Sequence, residues 1–236
     1  QKIPFLTISF FKTHKVTSGE FEGGSIFESS GTTGSVNSKH YVKDLDLYRE
    51  SFTTCFEKFY GKPASKCILG LLPSYLERQH SSLVMMTDEL IQASANPLSG
   101  FYLYDLEKLH RTLMHNEILK TPTLLLGVTY ALLDFAERYP MQLRNTIVME
   151  TGGMKRRREE MTRQQVHELL QKQFSINLIH SEYGMTELLS QAYSKGDGIF
   201  HCPAWMKVLL RDEDDPFHVM PAANAVEKPL TGAINI

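Results

Sequence analysis

The residues Ser29 to Ser35 are all Ser, Thr or Gly, and they lie within Glu28-Ser29-Ser30-Gly31-Thr32-Thr33-Gly34-Ser35-Val36-Asn37-Ser38-Lys39. A backbone of this kind can turn several N–H groups toward one point while short hydroxyls add donors, which makes a phosphate cradle. Lys39 can reach back to outer phosphates as a mobile point charge, a task that suits an ammonium better than a planar guanidinium. Gly/Ser-rich runs are also ordinary flexible linkers or turns, and the run alone leaves both readings open. Spacing excludes two familiar nucleotide motifs. A Walker loop needs Gly-Lys-Ser/Thr, whereas Gly34 is followed by Ser35 and the lysine comes only at Lys39. A dinucleotide fingerprint needs Gly-x-Gly-x-x-Gly, and the only glycines here are Gly31 and Gly34.

A second candidate is Ser181-Glu182-Tyr183-Gly184-Met185-Thr186-Glu187. Tyr183 offers a flat ring, Gly184 lets backbone approach a ligand, and Thr186 and Glu187 add a hydroxyl and a carboxylate, a set suited to a purine and a magnesium-bound phosphate. The competing reading is a strand, a turn and a helix whose first turn carries Glu187 because negative charge is favoured there. Glu150-Thr151-Gly152-Gly153-Met154 puts paired glycines after a strand, either as a tight turn or as backbone facing an adenine edge. His80, after Leu72-Pro73-Ser74-Tyr75, reads as a surface or structural histidine or as a group near a substrate.

The elements that must position these loops alternate. Residues 3–18 predict one or two short strands, and Gly19 to Gly24 a turn before a strand over Ser25-Ile26-Phe27. From Tyr41 to Tyr60 the residues Leu45, Tyr48, Phe52, Cys55, Phe56 and Phe59 recur at steps of three and four, one buried helical face ended by Gly61 and Pro63. Cys67 to Leu72 is a continuous apolar run suited to a strand covered on both faces. Then follow a helix around Ser82 to Ala95, a strand at Phe101 to Tyr104, and a helix capped by Asp105 with Leu106, Leu109, Leu113 and Met114. A strand at Thr123 to Val128, a helix to Tyr139, a strand at Thr146 to Met149, a polar helix from Glu159 to Phe174 and a strand at Ile176 to Ile179 complete the series. Such alternation predicts an α/β fold, a mainly parallel sheet with helices on both faces, over residues 1–198. Ligands of such sheets bind outside the carboxyl ends of strands, where Ser29, Thr151 and Ser181 all fall. Residues 199–236, with short β-like runs at Ile199 to Cys202 and Lys207 to Leu210 and a turn at Asp212 to Pro216, read as the start of a small β-rich subdomain.

Composition narrows the classes. Of 236 residues, 25 are basic and 27 acidic, a net charge of −2 that gives no footprint for nucleic acid or an anionic membrane. The basic run Lys155 to Arg158 passes at once into Glu159 and Glu160, as at a solvated helix start. Cys55, Cys67 and Cys202 form no Cys-x-x-Cys, so neither a disulfide framework nor a zinc site is expected, and a reducing cytoplasm fits. The run Ile3 to Phe11 is too short to span a bilayer. The chain opens without Met and closes on Ala233-Ile234-Asn235-Ile236, mid-strand in character, so a fragment is expected.

The motifs in order, Ser-Gly-Thr-Thr-Gly, Leu-Pro, Gly-Gly after a strand and Tyr-Gly-x-Thr-Glu after the next, resemble the adenylate-forming ligase superfamily. With Ile3-Pro4-Phe5-Leu6, Leu72-Pro73-Ser74-Tyr75-Leu76 and Ser181 to Glu187, the chain is most similar to its acyl-protein synthetase branch, which supplies fatty acyl groups to luminescence reductases. The resemblance implies the nucleotide-binding large domain of an AMP-forming ligase that uses ATP and Mg2+ to activate a fatty or other carboxylic acid. The acyl group would pass to a thiol, of coenzyme A or of an acyl-accepting protein. It also implies that Ser29, Ser30, Gly31, Thr32, Thr33 and Gly34 wrap the ATP phosphates, with Gly152 and Gly153 bordering the adenine. Tyr183 would stack on that adenine beside Gly184, Thr186 would contact phosphate, Glu187 would hold the metal, and His80 would lie near the acyl pocket. The usual Pro-Lys after the loop's second glycine is replaced by Val36-Asn37-Ser38-Lys39. The family's N-terminal segment, its ribose-binding Asp and its small lysine-bearing domain would lie outside these residues. A nucleotide-binding or regulatory protein without turnover is the alternative, and coincidental motifs on an α/β domain the third reading.

Overall fold

The computed structural model describes residues 5–29, 36–73, 80–152, 161–215, 218–220 and 231–236. Two compact units divide them: residues 8–201, and Cys202–Ile236 together with the N-terminal residues through Thr7.

The larger unit opens with a single helical turn, α1 (Phe10–Thr13), where strands are expected. No strand forms among the described residues 5–18. The Phe10 ring stacks on His14 at 4.9 Å, a four-residue spacing that only a helical turn brings together. Next, β1 (Ser25–Glu28) and β2 (Lys39–Val42) pair antiparallel, from Ser25 opposite Val42 to Glu28 opposite Lys39. The hydroxyl-rich run is therefore the connection of a hairpin, and its far strand occupies residues expected to begin the helix. The helix starts later, at α2 (Leu45–Tyr60), because the Asp44 side chain accepts the Asp46 N–H at 2.9 Å and caps it there. Its buried face is Tyr48, Phe52, Cys55 and Phe56, the expected three-and-four spacing.

Strand and helix then alternate through β3 (Cys67–Leu71), α3 (Ser82–Ser94), β4 (Gly100–Phe101), α4 (Leu106–Leu119), β5 (Thr123–Gly127), α5 (Thr129–Arg138), β6 (Thr146–Glu150), α6 (Arg163–Phe174) and β7 (His180–Tyr183). Two short strands, β8 (Ala192–Ser194) and β9 (Phe200–His201), follow. One seven-stranded sheet results, in the order β4-β3-β5-β6-β7-β8-β9, parallel except at its last two pairings. The crossover from β3 to β4 runs opposite in direction to those that reach β5, β6 and β7. Right-handed connection therefore sets α3 on one face and α4 to α6 on the other. Enclosure of that kind is why β3 and β5 are buried at every residue. Each fully buried leucine of this core, such as Leu69, Leu125 or Leu133, contributes roughly 1.5–3 kcal/mol relative to an exposed one.

Two expected strand boundaries shift. The strand placed at Phe101 to Tyr104 shortens to Gly100–Phe101. Of the apolar residues of α4, Leu109 and Leu113 are buried and Met114 is 39% exposed. The strand placed at Ile176 to Ile179 begins only at His180. Residues 176 and 177 are used in closing α6: Ser175 turns left-handed, the Ile176 N–H donates to Gln171 O, and Gln171 Nε2 donates to Asn177 O. The start of the polar helix expected from Glu159 lies outside the described residues, which enter it at Thr162 through a capping box with Gln165.

At the amino ends of the strands, Glu117 fixes the entry to β6. Its carboxylate accepts from the N–H groups of Arg144 and Asn145, from Asn145 Nδ2 and from Thr146 Oγ1. Burial pushes this carboxyl up, but the four donors outweigh burial and hold it below its ordinary range. In the smaller unit, β10 (Leu209–Arg211) and β11 (Ala233–Asn235) pair antiparallel, and Arg211 bridges Val219. No helix among the described residues is long and apolar enough to cross a membrane.

Candidate functional site

At the carboxyl ends of β6 and β7 a cavity of about 160 Å3 opens between the end of β1, the start of α3 and the segment leading into β8. Glu28 closes it from the hairpin, Ser81, Ser82, Leu83 and Met86 from α3, Thr151 from the end of β6, and Glu182, Gly184, Met185 and Thr186 from β7 and its loop. Tyr48 and Gln191 complete the wall. Parallel pairing of β6 with β7 brings Thr151 and the loop after Tyr183 to the same end of the sheet, whereas Ser29, expected at a carboxyl end of that sheet, follows β1 in a separate two-stranded antiparallel sheet.

The hairpin loop is fastened at its base. Ser29 N–H donates to Ser38 O at 3.0 Å, and Ser29 Oγ accepts the Ser38 N–H at 2.9 Å. The Ser29 backbone donor is thus engaged within the loop, while its hydroxyl keeps a proton to donate. Ser30, Gly31, Thr32, Thr33 and Gly34, like Gly153, lie outside the described residues. Lys39 Nζ stands 3.5 Å from Glu28 Oε1, an ion pair across the hairpin with the lysine side chain 48% exposed. Next to it, His40 Nδ1 donates to the Thr186 carbonyl at 3.0 Å and so ties the hairpin to the loop after β7. Burial holds the His40 imidazole below its ordinary value, against the opposing effects of that carbonyl and of Glu187.

In the loop after β7, the Tyr183 hydroxyl donates to Met185 Sδ at 3.1 Å and its ring packs edge-on against Phe200 at 6.1 Å. Tyr183 does not line the cavity, whereas Gly184 and Thr186 do. A Cβ at Gly184 would stand 2.6 Å from Glu182 Oε1, so any side chain there would have to displace that carboxyl. Glu187 follows, half-buried, in a segment without helix that passes into β8. The helix that would explain Glu187 as a first-turn residue does not form among the described residues.

After β6, Gly152 takes φ +73°, a left-handed conformation that glycine adopts freely. Its N–H donates to Glu150 Oε2 at 2.7 Å, and its carbonyl accepts the Thr129 N–H at 2.9 Å. His80 is exposed and meets the site through its backbone, its carbonyl accepting the Glu28 N–H at 2.8 Å. Ser81 and Ser82 reach the cavity in its place.

Two buried carboxyls, Glu150 and Glu182, belong to neighbouring strands and were not singled out by the sequence motifs. Thr129 Oγ1 and the Gly152 N–H donate to Glu150, Arg163 Nε lies 3.7 Å away, and His167 Nε2 is also at 3.7 Å, beyond hydrogen-bond length. Burial raises the Glu150 carboxyl, but the surrounding His167 and Ser181, the Gly152 N–H and the Arg163 charge outweigh it and bring it down to about 2. Glu182 has no such company: no described residue hydrogen-bonds to its carboxyl. Burial first, and then the negative charge of Glu150, push it up to about 8. Beside it, Gln191 Nε2 donates to the Tyr48 hydroxyl, which donates to Ser82 O. Gln191 Oε1 and Thr151 Oγ1 are buried without partners among the described residues.

Nothing in the sequence marked Glu182 as buried, since the strand expected there ended at Ile179 and left Glu182 in the loop beyond it, whereas β7 spans His180–Tyr183. Nothing marked Gln191 or Tyr48, whose contact spans 143 positions. No group of three His, Cys, Asp or Glu able to hold a metal ion occurs among the described residues. No protein-family model matches this chain, and no curated protein sequence matches it.

Proposed function

We propose that the chain carries the nucleotide- and acid-binding core of an AMP-forming acid–thiol ligase, acting in the cytoplasm. A carboxylate oxygen attacks the α-phosphorus of ATP, the bond to the leaving pyrophosphate breaks, and acyl-adenylate forms. A thiol, of coenzyme A or of a protein cysteine, then takes the acyl group and releases AMP. The observation that supports this reading is the meeting, around one cavity, of Glu28 at the base of the hydroxyl-rich hairpin loop, Thr151 after β6, and Gly184, Met185 and Thr186 after β7.

The residues present fit the groups this chemistry requires. Glu187 offers one carboxylate, and magnesium bound through one or two carboxylates plus phosphate oxygens needs no larger protein cluster. When bound, the metal neutralises charge on the departing pyrophosphate. Lys39 exchanges Glu28 for a phosphate oxygen, and Thr186 donates its hydroxyl. His40 holds the Thr186 carbonyl, so the loop carrying Glu187 keeps its place relative to the hairpin. No covalent enzyme intermediate is needed for the first step, and catalysis rests on in-line positioning and charge neutralisation.

ATP–pyrophosphate exchange in magnesium across a panel of acids of increasing chain length tests the proposal. Acid-dependent exchange is expected. Magnesium-ATP binding without exchange for any acid would leave a nucleotide-binding protein without turnover, and absence of ATP binding would remove the reading altogether.

A further inference from the structure

The start of α3 and the buried side chain of Glu182 face the same cavity, and neither the N–H groups of Ser82 and Leu83 nor the Glu182 carboxyl has a hydrogen-bond partner among the described residues. Ser81 caps the helix by accepting the Val84 N–H, and the Met85 N–H donates to Ser81 O. The N–H groups of Ser82 and Leu83 find no partner among the described residues, although both residues line the cavity. α3 is 13 residues long, so this end carries the positive pole of a full helix dipole. Opposite, Glu182 is 8% exposed, lines the same cavity and accepts nothing from a described residue.

We propose that the cavity is a carboxylate subsite, in which the Ser82 and Leu83 N–H groups of α3 bind one oxygen of a ligand carboxylate and the Glu182 carboxyl donates to the other. The inference rests on the ligase reading for the identity of the ligand, the acid that is activated. The oxygen held by α3 attacks the α-phosphorus of ATP as pyrophosphate leaves and becomes the bridging oxygen of the acyl–phosphate mixed anhydride. The oxygen held by Glu182 becomes the acyl carbonyl and keeps the same donor, so no proton is transferred.

The acidic neighbours of Glu182 are largely answered before a ligand arrives. On β6, Glu150 is answered by Arg163 and by the Gly152 N–H; on the hairpin, Glu28 is paired with Lys39. The remaining titratable groups facing Glu182 are the phenols of Tyr48 and Tyr60 on α2 and of Tyr193 on β8, all raised by burial and all neutral. With Glu182 itself neutral, as its rise to about 8 requires at pH 7, the charge left acting on a ligand carboxylate in the absence of nucleotide is the part of Glu150 that Arg163 and the Gly152 N–H do not offset. A hydrogen bond between a carboxyl and a carboxylate is of the short, charge-assisted kind.

Hexanoate titrated into the protein without nucleotide, at pH 6 to 9, reads this directly. Wild type is expected to bind, with affinity falling about tenfold between pH 7 and pH 9 as Glu182 gives up its proton. Glu182→Gln keeps a donor that does not titrate, so it should bind hexanoate with no pH dependence over that range. Glu182→Leu fills the same buried volume without a donor, and should bind about 10- to 100-fold more weakly at pH 7. Hexylammonium should not bind any of the three. Equal hexanoate binding by wild type and the Leu variant, tighter binding at higher pH, or binding of hexylammonium that the Gln variant loses would each overturn the subsite. Hexanoate binding that follows these rules without pyrophosphate exchange would sink the ligase reading alone, and exchange indifferent to all three side chains would sink the subsite alone.

Discussion

Replacing Glu182 by Gln should stabilise the protein, and by an amount set by pH. Glu182 is driven from its ordinary 4.5 to about 8 in the folded chain. Between those values the folded protein binds a proton that the unfolded chain has lost, so stability falls as pH rises. Its contribution is intact below 4.5, declines by about 1.4 kcal/mol per pH step above that, and levels off past pH 8. Wild type therefore carries a penalty of about 3 kcal/mol at pH 7 and about 5 kcal/mol at pH 8.5 that an amide of the same shape avoids. Because the residue is 8% exposed, solvent screening does little to shrink this difference.

Urea unfolding of both proteins at pH 4.5, 7 and 8.5 measures it, with the midpoint difference multiplied by a common slope. The two curves should coincide at pH 4.5 and separate progressively, the variant being the more stable. A difference independent of pH, or a variant less stable than wild type at pH 8.5, would refute the reasoning. It would mean that Glu182 is ionised and compensated in the folded protein.

Two further outcomes follow from the same geometry. Glu187→Gln should slow adenylation by about 10²-fold, on the order of 3 kcal/mol, in a magnesium titration; as no helix follows it among the described residues, its melting temperature should hold, and a lowered one with normal turnover would make Glu187 structural. Glu117→Gln should cost roughly 1–3 kcal/mol at pH 7, because an amide oxygen cannot satisfy the four donors that meet that carboxylate. Its folded value is depressed, so the wild-type advantage is present above about pH 4.5 and shrinks as pH falls below it, and urea midpoints at pH 7 and pH 3 that differ from their controls equally would contradict this.

Local chemistry explains which elements were legible in the sequence. Cys67 to Leu72 declares a covered strand by its unbroken apolar run, and α2 declares its buried face by spacing alone; both are decided by nearest neighbours along the chain. Asp105 announces the start of α4 for the same reason, its side chain accepting the Lys108 N–H three residues on. The strand at Lys39–Val42 was illegible because only its hairpin partner makes it a strand. The displacement of β7 to His180 likewise depends on how α6 closes, through a contact from Gln171 to Asn177 that no periodicity encodes.

The site divides along the same line. Its loops were nominated by residue type alone, a criterion that an ordinary Gly/Ser-rich linker meets as well. Its electrostatics could not, because Glu150 and Glu182 are the same residue on adjacent strands of one sheet, both buried. Four groups around one carboxylate hold its charge in place, and the absence of any described donor around the other strips its charge away. Ionisation here is a property of the number of donors within reach, which the chain supplies from Thr129, Gly152 and Arg163 to one strand and not to its neighbour. A negative charge added to this cavity therefore meets a neutral acid and a helix terminus, although the sequence of its walls reads as acidic.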